Sequence, residues 1–430
     1  MKKSKKIYLD YASATPLEKD VLLAMNKIFK ENFANSSAIH DFGLQSKNIL
    51  NESRKNIAKI IDAHQNEIIF TSGSTESNNL ALFGVTEKQN KNFQGPRGGV
   101  NQTIENLNFV LPHIITTNIE HSSVLEVCKY LEENKLAQVT YVPVERSGIV
   151  DPKKIKKVMC KETVLVSVMY ANNEIGTIQP IKEIAKEIRH FNKLNNTKVL
   201  VHTDATQAIN YLEINVEKLG IDMMSFNAGK IYGPKGIGAL YLRRKTLLGK
   251  IIFGGDQEYG MRAGTENLAS IVGFAKALEI TEKKKEKENK RLKKLQDYFI
   301  KKLISQTNNF QGPRVAKLNQ TIENSQFSEI VINGDLENRL PNNINITIPK
   351  IPSDLLVIEL SARGIMVSAK SACKSGEEGE SYVIKAIKPE ADQENGSIRF
   401  SLGRSTIKED LDFTLKSLKE ILTKLKKWYN

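Results

Sequence analysis

The chain has 430 residues, more than the roughly 250–300 at which a single hydrophobic core stops growing, so at least two packed units are expected. Apolar residues at 40% and charged residues at 26% are the balance of a globular chain, and 12 Pro with 26 Gly exclude a fibrous one. The net charge of +14 comes from lysines spread through every segment without an aromatic-interleaved basic motif, so no specific nucleic-acid binding is expected.

The opening segment, MKKSKKIYLDYASATP, is basic but has no apolar run of the signal-peptide kind, and no stretch approaches the ~20 apolar residues of a spanning helix. A cytoplasmic protein with no membrane partner is therefore expected. Residues 68–84, IIFTSGSTESNNLALFG, read as a short strand, a Gly/Ser/Thr turn and a helix. The same scheme recurs at 113–131 and at 163–190, and strands follow in 199–209 and 222–242. Such alternation predicts an α/β fold: a mostly parallel sheet with helices on both faces and the chemistry beyond the carboxyl ends of the strands. A long charged helix is expected from Gly273 to Ser305, followed by a smaller α+β unit with strands in 342–348 and 396–403. The expected division is a large unit over 18–286 and a small one formed by 1–17 with 287–430.

One repetition interrupts this plan. NFQGPR occurs at 92–97 and 309–314, and NQTIEN at 101–106 and 319–324, with unrelated flanks. Two copies of one inserted surface element, at 90–108 and 308–326, account for it.

The three cysteines, Cys128, Cys160 and Cys373, form neither a CxxC pair nor an even disulfide set, and the six histidines show no metal spacing. A resident metal is not expected. The turn Gly73–Ser74–Thr75, between a strand and a helix, offers backbone N–H groups and hydroxyls to an anion. No Walker pattern or GxGxxG accompanies it, so the phosphate is not that of a nucleoside triphosphate or dinucleotide. Asp204 and Lys230 each follow a predicted strand. Singly, each reads as a cap or a solvated cation. Together with a phosphate cup they form the set that pyridoxal 5'-phosphate requires: a lysine for the Schiff base, a carboxylate for the ring nitrogen and donors for the phosphate.

The motifs YLDYASATP, FTSGSTESNN, NIEHSSVL, ANNEIGTIQPI, HTDATQA, KIYGPKGIGALY, GMRAGTEN, SAC and SIRFSLGR occur in that order from Ile7 onward. On these residues the chain resembles the cysteine desulfurases of the NifS/IscS-like group, pyridoxal-phosphate enzymes of the aminotransferase class V family with fold type I. The resemblance implies conversion of L-cysteine to alanine, with the sulfur held as a persulfide for iron–sulfur cluster assembly or tRNA thiolation. Lys230 resembles the Schiff-base lysine that also moves the α-proton, Asp204 the partner of the ring nitrogen, and His121 the residue stacked on the ring. Asn173 and Gln207 are similar to contacts of the ring oxygen, and Ser74, Thr75 and Asn227 stand at phosphate positions. Thr265 matches a residue that reaches the phosphate of the neighbouring subunit, which implies a homodimer. Arg399 resembles the clamp on the substrate carboxylate, and Asn35 matches a substrate-pocket position. Cys373, between Lys370 and Lys374, resembles the nucleophile that becomes the persulfide and a candidate transient iron–sulfur ligand. An iron–sulfur scaffold protein and other sulfur acceptors are the partners implied, whereas Cys128 and Cys160 are expected to be structural. Two departures stand out: Asn227 replaces the usual serine and Gly229 the usual histidine before the lysine. The alternatives are a selenocysteine lyase and a degenerate homologue that only binds a partner.

Overall fold

The computed structural model describes residues 6–93, 110–305, 330–369, 381–389 and 396–429. The elements in chain order begin with β1 (Ile7–Tyr8), α1 (Lys19–Glu31), α2 (Asp41–Ile61), β2 (Ile68–Thr71), α3 (Ser74–Phe93), β3 (His113–Thr117) and α4 (Ser122–Glu133). They continue with β4 (Gln138–Val142), α5 (Pro152–Val158), β5 (Thr163–Ser167), α6 (Ile181–Asn195), β6 (Leu200–Asp204), α7 (Val216–Leu219), β7 (Met223–Asn227) and β8 (Gly238–Leu242). The long α8 (Leu268–Ser305) follows, then β9 (Val331–Ile332), β10 (Asn343–Ile348), α9 (Ser353–Ala362), β11 (Ile365–Met366), α10 (Tyr382–Ile387), β12 (Gly396–Ser401) and α11 (Lys408–Tyr429).

Seven strands form one sheet in the order β2-β8-β7-β6-β5-β3-β4. β8 is antiparallel to both neighbours, and every other pair in the sheet is parallel. The central strands β3, β5 and β6 are buried at all positions, as strands covered on both faces must be. Helical spacing supplies the cover: α6 buries Ile181, Ile184, Ala185 and Ile188 beside β6 and α3 packs on β5, β6 and β7, while α1 buries Val21, Met25 and Ile28 and packs on α8. The parallel arrangement sends the carboxyl ends of β2, β3, β5, β6 and β7 to one edge of the sheet, and the loops that follow them carry the polar motifs.

α8 starts at Leu268, where Asn267 Oδ1 caps it by accepting from the Ser270 N–H at 3.1 Å, ahead of the expected Gly273, which serves close packing. A Cβ there would lie 2.7 Å from Met25 Sδ of α1. The first turns of α8 are buried as far as Thr281, the next are exposed or half-buried, and Leu292, Gln296, Phe299 and Leu303 are buried again. This second stretch meets the C-terminal strands: Phe299 packs on Phe400 with ring centroids 5.2 Å apart, and Gln296 donates to the carbonyls of Leu340 and Asn343. β9, β10 and β12 form an antiparallel sheet. β1 pairs in parallel with β11, Ile7 opposite Ile365, so the start of the chain packs with its C-terminal part. α3 continues through Phe93, into the insert expected at 90–108; the rest of that segment, and all of 308–326, lie outside the described residues. Among the described residues no helix is long and apolar enough to cross a membrane.

Candidate active site

A cavity of about 190 Å³ opens where the strand ends converge. β2 leads into Ser74 and Thr75, β3 into His121, β5 into Met169 and Asn173, β6 into Asp204, Thr206 and Gln207, and β7 into Asn227 and Lys230; all of them line it. Ala12 and Ser13 of the N-terminal segment and Arg399 of β12 close the remaining side. A larger open depression of about 800 Å³ beside α2, bordered by Lys55, Lys59 and Arg244, contains none of the predicted residues.

Each side chain is held by identifiable contacts. Asp204 is buried; its Oδ1 accepts from the Thr206 N–H at 2.9 Å and its Oδ2 from Asn78 Nδ2 at 2.7 Å. Lys230 Nζ donates to the Ser13 carbonyl, which sets the amine against the N-terminal segment. Asn227 donates through Nδ2 to Ser74 Oγ at the start of α3. A Cβ built at Gly229 would make only ordinary contacts, 3.7 Å from Asn227 Oδ1, so packing does not demand glycine there. Gln207 donates to the Ala12 carbonyl at 2.9 Å.

Arg399 is 1% exposed. Its Nη1 donates to the Asn173 carbonyl at 2.9 Å, and its Nη2 to Asp10 Oδ1 and Ser13 Oγ, both at 2.7 Å. Its Nε has no hydrogen-bond partner among the described residues, and the same holds for Asn173 Oδ1, Thr206 Oγ1 and Asn227 Oδ1. Buried polar atoms rarely go unpaired in a native protein. Four of them around one cavity mark a place built for a polar ligand. Hydroxyls and an amide at the α3 terminus, a buried carboxylate and an amine, all lining this one cavity, match the phosphate, ring nitrogen and carbonyl carbon of pyridoxal 5'-phosphate, so the residues present fit that group.

Two buried titratable groups lie behind the wall. Glu120, directly before His121, is fully buried, and burial pushes its carboxyl up to about 8 against hydrogen bonds from the Met169 N–H and the Thr117 hydroxyl. His202 sits between Ser167 Oγ and Ser225 Oγ, and burial lowers it to about 4, so it is neutral. In the first turn of α3, burial of Glu76 is outweighed by hydrogen bonds from Arg262 and the Ser72 N–H, which hold its carboxyl below the usual range.

Not every expected residue reaches the cavity. Asn35 and Thr265 are exposed and do not line it. Cys373, with Lys370 and Lys374, lies outside the described residues, but both flanks of its segment are anchored at the cavity wall. Ser368 pairs with Arg399, and Tyr382 Oη donates to the Glu120 carbonyl at 2.6 Å. Cys128 is buried on α4, its thiol pushed up by burial, and Cys160 stands near the amino ends of β3 and β5, away from the cavity. Sequence reasoning missed Asp10, Ser13, Asn78, Glu120 and Thr206, although all five fall within quoted motifs and Thr206 stands two residues beyond the end of β6.

A match to the aminotransferase class-V family covers residues 7–94 and 111–413, breaking at the first copy of the repeated element. The cysteine desulfurase IscS of Dictyoglomus turgidum is 42% identical over 98% of this chain and 96% of its own. The cysteine desulfurase IscS 1 of Archaeoglobus fulgidus is 37% identical, with 97% of each chain covered. Among solved structures, a NifS-like protein superposes with a TM-score of 0.82 at 32% identity, covering 98% of this chain and 100% of the other. SspA in complex with cysteine gives a TM-score of 0.71 at 30% identity, covering 94% of this chain and 100% of that one.

Proposed function

The chain belongs to the aminotransferase class-V family, and on that premise we propose that it is a pyridoxal-phosphate-dependent cysteine desulfurase that converts L-cysteine to L-alanine and passes the sulfur on. The observation that carries this reading is the convergence of Lys230, Asp204, Ser74 and the unpartnered Nε of Arg399 on one cavity. Ser74, Thr75 and Asn227 would hold the phosphate, Asp204 the ring nitrogen, and Asn173, Gln207 and His121 the ring. The cofactor, when bound, supplies an electron sink at the substrate α-carbon.

The protein's own groups do the rest. Arg399 Nε is the donor left over for a substrate carboxylate, while the Asp10 and Ser13 contacts fix the guanidinium plane. Lys230, once its amine leaves the Ser13 carbonyl, takes the α-proton and returns it. The Cys373 thiolate forms an S–S bond to the substrate sulfur while the C–S bond breaks, its electron pair staying on carbon; protonation there gives alanine. The anchored flanks at Ser368 and Tyr382 support delivery of Cys373 to this cavity. We assign cofactor binding to residues 18–286, and the cysteine loop to the unit of 1–17 with 287–430.

Thr265 follows an exposed loop tied to α1–α2 by the Ser36 hydroxyl, which donates to Glu266 at 2.8 Å. Phe29, Phe33, Ile39 and Phe42, with Phe33 at 80% and Ile39 at 94% exposure, leave large apolar side chains in water along residues 29–42, which supports a homodimer with Thr265 reaching the partner's site. Iron–sulfur scaffold proteins and other sulfur acceptors, in the cytoplasm, complete the proposal.

The test is release of alanine and sulfide from L-cysteine, with mass spectrometry of the protein afterwards. One added sulfur is expected on the Cys373 peptide and none on those of Cys128 or Cys160. Cys373→Ser should retain the cofactor and lose turnover; full turnover in that variant refutes the persulfide route.

A further inference from the structure

Asn78, in the second turn of α3, is wholly buried. Its Nδ2 donates to Asp204 Oδ2 at 2.7 Å and to Ser123 Oγ at 2.8 Å, while its Oδ1 is buried with no hydrogen-bond partner among the described residues. A carboxamide can present only its NH₂ to a carboxylate oxygen, so Asp204 dictates which way the amide points. Ser123 Oγ therefore receives an N–H, and its own proton is directed at His121 Nδ1, 2.8 Å away. The Ser123 backbone N–H addresses the same nitrogen at 3.1 Å. With two donors on Nδ1, a neutral imidazole carries its proton on Nε2.

Resting on the reading of the cavity as the cofactor site, we propose that Asn78 is a positioning residue that couples two walls of that site: through one amide group it orients the Asp204 carboxylate and, by way of Ser123, holds His121 as the Nε2–H tautomer. The arrangement reads in one direction, from amide N–H to hydroxyl to imidazole. His121 thereby offers a donor and not an acceptor at Nε2. The unpaired Oδ1 is the cost of this orientation, which the Nδ2 contacts to the Asp204 carboxylate and the Ser123 hydroxyl offset.

The direction can be reversed by one substitution. In Asn78→Asp, a carboxyl oxygen replaces Nδ2; it shares a proton with Asp204 and accepts the Ser123 hydroxyl proton. Ser123 Oγ then turns a lone pair toward His121 and favours the Nδ1–H form. The experiment is ¹⁵N NMR of the full chain labelled at its six histidines, with and without pyridoxal 5'-phosphate, the His121 signals being identified by their loss in His121→Gln. The wild type is expected to show His121 protonated at Nε2 alone. Asn78→Asp should shift population to Nδ1–H, and adding Ser123→Ala should restore the Nε2–H form, because only the backbone N–H then faces Nδ1. A general loss of structure would not be reversed by a second deletion. An Nδ1–H wild type, an unchanged Asn78→Asp spectrum, or a double variant that fails to revert overturns the proposal. Should Asn78→Asp not fold, the wild-type spectrum alone decides, an Nδ1–H form of His121 overturning the proposal and an Nε2–H form supporting it. Failure to take up pyridoxal phosphate would count instead against the cofactor reading, since the tautomer is read in its absence too.

Discussion

Replacing Glu120 by glutamine probes the electrostatics under the site. The carboxyl accepts from the Met169 N–H with both oxygens, at 2.9 and 3.0 Å, and from Thr117 Oγ1 at 2.7 Å, yet burial raises its pKa from 4.5 to about 8. The native protein thus carries Glu120 protonated at neutral pH, and a glutamine reproduces its charge while keeping one acceptor oxygen. Below pH 4.5 the folded and unfolded chains both hold the proton, and wild type and variant should be about equally stable. Between 4.5 and about 8 the unfolded glutamate ionises while the native one does not, so wild-type stability falls against the variant; above about 8 the deficit is constant. With each tenfold in proton affinity equivalent to about 1.4 kcal/mol, the interval from 4.5 to about 8 corresponds to a deficit on the order of 5 kcal/mol. For 430 residues at about 2 cal/mol/K of unfolding entropy each, that is about 5 °C in Tm. Thermal melts of both proteins from pH 5 to pH 9 measure it: the glutamine variant should melt higher by a margin that grows with pH. A pH-independent difference would show that the fold does not raise this carboxyl's pKa, and a margin that shrinks with pH would show that the fold binds the ionised carboxylate; either refutes the argument.

Lys230→Ala should abolish borohydride-fixable pyridoxal and lower alanine release by at least ~10²-fold, the low end of what a positioned base contributes; labelled pyridoxal still fixed covalently to the variant by borohydride would sink the assignment. Glu258→Ala should cost about 3–5 kcal/mol by stranding Arg54, which is buried and donates to both Glu258 oxygens at 2.7 Å. Melting curves should then show that Arg54→Leu added to Glu258→Ala regains most of the loss; simple additivity would contradict a paired buried charge. Excision of residues 94–109, outside every motif, should leave cofactor uptake and soluble yield intact, checked by visible absorbance and size exclusion, and loss of either would mean that the element is built into the fold.

Local chemistry carried much of this protein in its one-dimensional form. The alternation of apolar runs, Gly/Ser/Thr turns and amphipathic helices is a short-range pattern, so β2–α3, β6 with Asp204 and β7 with Lys230 were readable from neighbours in the chain. Motif order then tied those pieces to a family. What no local pattern contains is the partner of a buried polar group. Arg399 is steadied by Asp10 and Ser13 from the opposite end of the chain, because β1 and β12 both meet the β11 segment. Asn78 reads as an ordinary helix residue until α3 lies across the ends of β3 and β6, where it finds Ser123 and Asp204. Glu120 reads as a solvated charge until Met169 and Thr117 close over it and desolvation raises its pKa. Periodicity and capping act over a few residues and survive in sequence, whereas desolvation and long-range hydrogen bonding exist only once distant segments are packed. The residues proposed to anchor the cofactor belong to the first kind of information, and the hydrogen-bond network that orients them to the second.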